Sequence, residues 1–240
     1  MKKLKISSNY GMMKDFRRDP NFDDVVPTIK TLPEWHHKMP LWGGDGKVGT
    51  VREEPGTVPT VKFCIPFVDA MTSGYTVLLE EDLEVSSHVD HPDYTVKSGN
   101  DLISSHKNTQ FPGITVPEEY YPDASKWNNQ ITFETPKGYS LIFTHPLNRL
   151  DLPFFTLTGI IDADKFNGMS VNFPFFMRKD FNGIIPKGTP IAQVIPMKRD
   201  KWKLVPGIIG AWKGTKFLAK FNSIELRRYQ RLFHVKKSYK

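Results

Sequence analysis

The stretch Gly159-Ile-Ile-Asp162-Ala-Asp164-Lys-Phe166-Asn-Gly168, followed by Ile184-Ile-Pro-Lys-Gly188-Thr-Pro-Ile191-Ala-Gln193, decides how this chain reads. Its apolar runs are too short for helices and stop at Gly, Pro and Asp. Short carboxylate side chains hydrogen-bond nearby backbone and tolerate turn geometry, so Asp162 and Asp164 are suited to capping a turn between two strands. Gly159, Gly168 and Gly188 mark turns where a side chain would strain the backbone or crowd an approaching strand.

The same texture extends on both sides. Strand candidates lie at 75–80, 83–86, 94–97, 130–134, 140–144, 154–161, 169–173 and 191–195, and Pro and Gly punctuate them at short intervals. No helical periodicity of comparable strength lies between them, which excludes a doubly wound α/β fold. The pattern is that of an all-β sandwich or barrel. Residues 1–60 differ: Pro20, Pro27, Pro33, Pro40, Pro55 and Pro59 break any long element, so an extended arm is expected, with one short helix near 32–39. Trp35 and Trp42 predict that this arm packs on the body or on a neighbouring subunit. Beyond Pro206 the apolar positions 217, 218, 221, 224, 226, 229, 232 and 233 follow helical spacing. Three segments are therefore expected: an arm over 1–60, a β domain over 61–205 and a basic amphipathic helix within 206–240.

With 240 residues, 39% hydrophobic and 12% aromatic, the chain can bury a sizeable core as one domain with appendages. No apolar run approaches the roughly 20 residues of a membrane helix, so a soluble protein with no membrane partner is expected. Met1-Lys-Lys-Leu-Lys lacks a following apolar segment, which argues against a secretory signal and for a cytoplasmic location. The single Cys64 excludes an internal disulfide and a thiolate cluster within one chain, and its apolar neighbours read it as a small buried side chain. Net charge is +7 and unevenly spread: from Lys198 to Lys240 thirteen lysines and arginines face only Asp200 and Glu225. Such a tail attracts polyanions, whether nucleic acid or an acidic protein, although a solvated basic helix has the same composition.

The opening stretch resembles the dUTPase and dCTP deaminase superfamily, whose third motif reads Gly-Val-Ile-Asp-x-Asp-Tyr-Arg-Gly and whose fourth ends Arg-Ile-Ala-Gln. Pro136-Lys-Gly138-Tyr139, leading through Ser-Leu-Ile-Phe-Thr to His145-Pro146, is similar to the strand before the family's second motif, and Ser73-Gly74-Tyr75 to its first. The resemblance covers roughly residues 60 to 200. The block from Phe63 to Tyr75 also resembles proteins encoded by tailed bacteriophages. The resemblance implies a dUTPase-like distorted barrel or jelly roll that self-associates, usually as a trimer sharing strands and active sites. It implies a location in the cytoplasm of an infected host cell, with association with the virion as the alternative.

Site residues carry over by position. Asp162 stands where the family's catalytic carboxylate positions the attacking water, Phe166 is the nearest candidate for the aromatic that stacks on a nucleoside, Arg149 for the phosphate-gripping arginine, and Gln193 ends the fourth motif. The departures matter as much. Asp-Lys-Phe-Asn-Gly carries one residue more than Asp-Tyr-Arg-Gly; Leu147-Asn148-Arg149 replaces Arg-Ser-Ser; Thr76 replaces the first-motif Asp; and a basic helix replaces the terminal Gly-rich segment. The glutamate that a deaminase needs is missing from Met169-Ser-Val-Asn-Phe-Pro174. The expected function is accordingly non-hydrolytic, a phage protein using the scaffold for binding or assembly, with no cofactor. The alternative is a Mg²⁺-dependent nucleotide pyrophosphatase or deaminase relative with Asp162 as base. A weaker one is nucleic-acid binding through the tail. Two other histidine groups read blandly: His88-Val-Asp90-His91, with Asp101 and His106 downstream, as a polar loop rather than a metal site, since strand alternation sends 88 and 90 one way and 91 the other; and His145 as a structural side chain.

Overall fold

The computed structural model describes residues 2–8, 24–43, 58–98, 101–106, 110–166, 168–207 and 228–240. In chain order the strands are β1 (Lys5–Ser8), β2 (Val25–Pro27), β3 (Trp42–Gly43), β4 (Val58–Pro59), β5 (Tyr75–Leu78), β6 (Leu83–Ser87), β7 (Pro92–Val96), β8 (Ile103–His106), β9 (Ala124–Trp127), β10 (Ile131–Glu134), β11 (Tyr139–Thr144), β12 (Phe154–Thr156), β13 (Gly159–Ile161), β14 (Phe173–Met177), β15 (Gly183–Ile185) and β16 (Pro190–Lys198). Short helices are α1 (Glu34–Lys38), α2 (Ile65–Thr72) and α3 (Arg228–Leu232). The described chain is thus mostly β, and none of its helices is long and apolar enough to cross a membrane.

Two compact units divide it, one from residues 1–31 and 74–199, the other from 32–73 and 200–240. Where the sequence suggested cuts near 60 and 206, each unit draws on two separated stretches. Within the first unit an open five-stranded antiparallel sheet runs β13-β11-β16-β5-β2. A four-stranded sheet β12-β14-β9-β8, a three-stranded sheet β15-β6-β7 and the pair β1-β10 complete it. Two pieces of the expected arm are thereby built into sheets, because Lys5–Ser8 pair with Glu134–Ile131 and Val25–Pro27 with Val77–Tyr75.

Alternation explains the strand faces: in β6 Leu83 and Val85 are buried while Glu84 and Ser86 are exposed. The core is aromatic. Trp127 stacks on Phe175 at 4.0 Å between centroids and meets Phe154 edge-on at 5.0 Å, while Phe143 stacks on Phe173 at 5.2 Å. Each such ring buried contributes about 1.5–3 kcal/mol from apolar area alone.

The expected strand over 154–161 is two strands. Phe154–Thr156 pair with β14 and Gly159–Ile161 with β11, so the backbone groups of the two halves are claimed by different sheets and the chain crosses between them at Leu157–Thr158. The expected strand at 169–173 begins only at Phe173; before it, Ser170 makes a single bridge to Thr132. Burying Phe173, Phe175 and Met177 on one side outweighs the donor that Pro174 lacks.

The second unit holds α1, the expected short helix, and pairs β3 with β4, and Trp42 packs on Phe63 at 5.2 Å. Cys64 is exposed rather than buried, because it sits at the junction between a 3₁₀ turn and α2, not in a strand. At its C-terminal end His234 and Lys237 both reach Asp69 on α2. Of the expected basic helix, Arg228–Leu232 is helical; Phe217, Phe221 and Ile224 lie outside the described residues.

Candidate functional site

Asp162 directly follows β13. Its carbonyl accepts the N–H groups of Lys165 at 2.8 Å and Phe166 at 2.9 Å, which folds 162–166 into a tight turn. Its carboxylate accepts the Ser140 hydroxyl at 2.7 Å and pairs with the Arg199 guanidinium at 3.0 Å. Asp164 is nearly buried, 5% exposed at the side chain, and takes the same guanidinium together with the Gly138 N–H at 2.8 Å. Arg199, just past β16, therefore closes the β13 turn against the Pro136–Tyr139 turn, where Gly138 adopts a φ of 85°.

These contacts set the acidity. Ser140's hydrogen bond, opposed by desolvation and helped by Arg199, holds Asp162 below the usual aspartate range. The Arg199 and Gly138 hydrogen bonds hold Asp164 at about 2. A general base works best with a pKa near the working pH, so both carboxylates are ionised at neutral pH but weakly basic. Phe166 is 40% exposed in the same turn.

Arg149 belongs to the other end of β11. Asp162 leans on Ser140, the second residue of that strand, whereas Arg149 lies beyond its last residue, Thr144. At about 3.3 Å per residue the strand between these points spans roughly 13 Å. Asp151 occupies the Arg149 fork, accepting from Nε and Nη2 at 2.8 Å each, and the Thr31 carbonyl takes Nη1 at 3.3 Å. Gln193 is fully buried and its Oε1 accepts the Leu147 N–H at 2.9 Å, which supports the turn over 146–149, where Asn148 has a φ of 61°. His145 is buried between the Thr156 N–H, donating to Nδ1, and the Arg149 carbonyl, bonded by Nε2; burial lowers its pKa despite that second bond. Thr76 is fully buried in a hydroxyl cluster with Thr28 and Thr31. Within one chain the structure thus gathers Asp162, Phe166 and the unforeseen Arg199 at one end of β11, and Arg149 and Gln193 at the other.

Of the three glycines read as turn formers, Gly168 and Gly188 adopt φ values of 76° and 83°. Gly159 differs: it is a strand residue opposite Phe143, and a Cβ there would meet nothing within 4 Å. Gly74 is the crowded one, since a Cβ on it would collide with the Val194 carbonyl.

The histidine group also rearranges. Val89 and Asp90 form the tip of the β6–β7 hairpin, and it is Asp93 that stands beside His88 and His91. Strand alternation fails across a turn: His88 and His91, expected to face opposite ways, stack with ring centroids 5.1 Å apart. His91 and Asp93 also line a cleft of about 510 Å³, with Asp101, His106 and Asp123 on its walls.

No protein-family model matches this chain, and no curated protein matches it.

Proposed function

We propose that this chain is a non-hydrolytic phage protein, a dUTPase-like distorted barrel or jelly roll used for binding or assembly and self-associating, as a trimer in the simplest case. The observation that carries this reading is the Arg149–Asp151 pair. A phosphate would have to take the same two-pronged face of the guanidinium that Asp151 already holds, and it would have to displace that carboxylate to do so. Supporting it, β14 carries no acid for a deaminase role, and Thr76 stands in its hydroxyl cluster where the related enzymes carry an aspartate. Assembly is supported by the residues just after Arg199. Trp202, Leu204 and Val205 are 90%, 95% and 72% exposed, and closely spaced exposed apolar groups favour burial against another chain.

The competing reading is a nucleotide pyrophosphatase or deaminase relative with Asp162 as base and Mg²⁺ as counter-charge. It is tested by incubating the chain and Mg²⁺ with dUTP, following pyrophosphate, and separately with dCTP, following ammonia. The expected turnover lies far below the ~1–1000 per second of ordinary enzymes. Release of either product within that range, abolished by Asp162→Asn, overturns the proposal, and a monomer by light scattering of the same sample removes its assembly half.

A further inference from the structure

The tip of the β6–β7 hairpin carries a donor set of its own. The His88 N–H donates to the His91 carbonyl at 3.0 Å, closing the two-residue turn, and the ladder continues as Ser87 opposite Pro92 and Ser86 opposite Asp93. In an antiparallel pair, opposed residues project to one face, as do residues two apart on a strand. His88 and His91 therefore share a face with Asp93, while Leu83 and Val85 turn to the core. The Asp93 carboxylate stands between the rings, Oδ2 at 3.1 Å from His88 Nε2 and Oδ1 at 3.7 Å from His91 Nε2. The rings lie 5.1 Å apart and 24° from parallel. One ligand atom from each of the three residues lies within 4.8 Å of the others. The backbone beneath is anchored, because the buried Tyr121 donates its hydroxyl to the His88 carbonyl at 2.6 Å and Ser87 bonds the Phe181 carbonyl.

We propose that His88, His91 and Asp93 bind a divalent transition-metal ion, Zn²⁺ foremost. Metal–ligand distances of about 2.0–2.2 Å in a tetrahedron place donor atoms about 3.3 Å apart. The His88–Asp93 separation already meets that spacing. Rotation of two exposed rings, at 50% and 64% side-chain exposure, closes the rest without moving the strands. Two imidazoles and a carboxylate favour zinc, copper, nickel or iron over magnesium or calcium, which take oxygen ligands. As a plain ion pair the group would contribute little at this exposure. Three protein ligands leave a coordination position for water or another donor. Since His91 and Asp93 also line the 510 Å³ cleft, the ion adjoins the space that a small polar ligand could enter. The site requires neither a dUTPase-like scaffold nor self-association.

Zn²⁺ is titrated against a chromophoric chelator into the untagged full chain and into His88→Ala, His91→Ala and Asp93→Asn variants. One ion per chain is expected. Loss of even an outer partner of a metal ligand costs roughly 10–100-fold in affinity, so each ligand variant should weaken binding at least about tenfold. All three side chains are exposed, so metal-free melting of the variants should match the parent. No saturable site in the parent, unchanged binding in the His88→Ala/His91→Ala double variant, or equal competition by Mg²⁺ would overturn the assignment.

Discussion

At the residue scale the chain's demands for glycine are unequal, and the difference is measurable. Gly74 combines a φ of 76° with a backbone carbonyl where its Cβ would be, because Val194 on β16 pairs with the next residue, Tyr75. An alanine there meets both the left-handed penalty and a collision with a main-chain atom that cannot rotate away. Gly74→Ala should cost about 2–4 kcal/mol in denaturant unfolding. Gly159→Ala, in an ordinary strand position with open space, should stay within about 0.5 kcal/mol of the parent. Equal effects at the two positions would show that backbone crowding is not what Gly74 relieves. From the sequence both glycines looked like parts of motifs, and the partner strand that separates them is contributed from more than a hundred residues away.

At the element scale, the turn after β13 is held by charge. Asp164 has a folded value of about 2, below the roughly 3.9 of an unfolded aspartate, and Asp162 is shifted the same way. A lowered carboxylate contributes stability above its unfolded value, and that contribution is lost as pH falls through the folded one. Thermal midpoints should therefore fall between roughly pH 4 and pH 2. Arg199→Met, which removes the shared cation, should lower the midpoint at pH 5 and flatten the acid limb. An equally steep limb in the variant would mean that other carboxylates govern acid unfolding. The sequence marked Asp162 and Asp164 as turn formers or catalytic groups, and both readings omitted Arg199. Its proximity follows from β16 pairing with β11, where Lys198 stands opposite Tyr139.

At the scale of the whole molecule the uneven charge remains the clearest handle on partners. If the tail binds nucleic acid, as the weaker of the functional alternatives holds, DNA affinity should drop by at least tenfold between about 50 and 200 mM salt, since each neutralised phosphate releases counterions. A chain ending at Pro206 should then bind much less. Equal binding by both chains would place the basic surface elsewhere, and no binding at low salt would remove the nucleic-acid reading. Asp69 already satisfies His234 and Lys237, so those two side chains are the least available for such a role.

What the sequence determined by itself was local. Turn residues between short apolar runs established a mostly β chain, and the position of α1 and the start of β5 and β6 could be read from Pro, Gly and alternation. Those features depend on φ/ψ preferences and on which side chains prefer water, and both act over a few residues. Only the tertiary structure decided which strand pairs with which: that 154–161 is shared between two sheets, that parts of the N-terminal segment complete the β5 and β10 edges, and that Arg149 and Asp162 occupy opposite ends of one strand. Pairing is set by the summed burial of rings such as Trp127, Phe154 and Phe175, and by which backbone donors remain for a distant partner. Neither quantity is a property of any short stretch of sequence, so the candidate site was legible in its residue types and not in their neighbours.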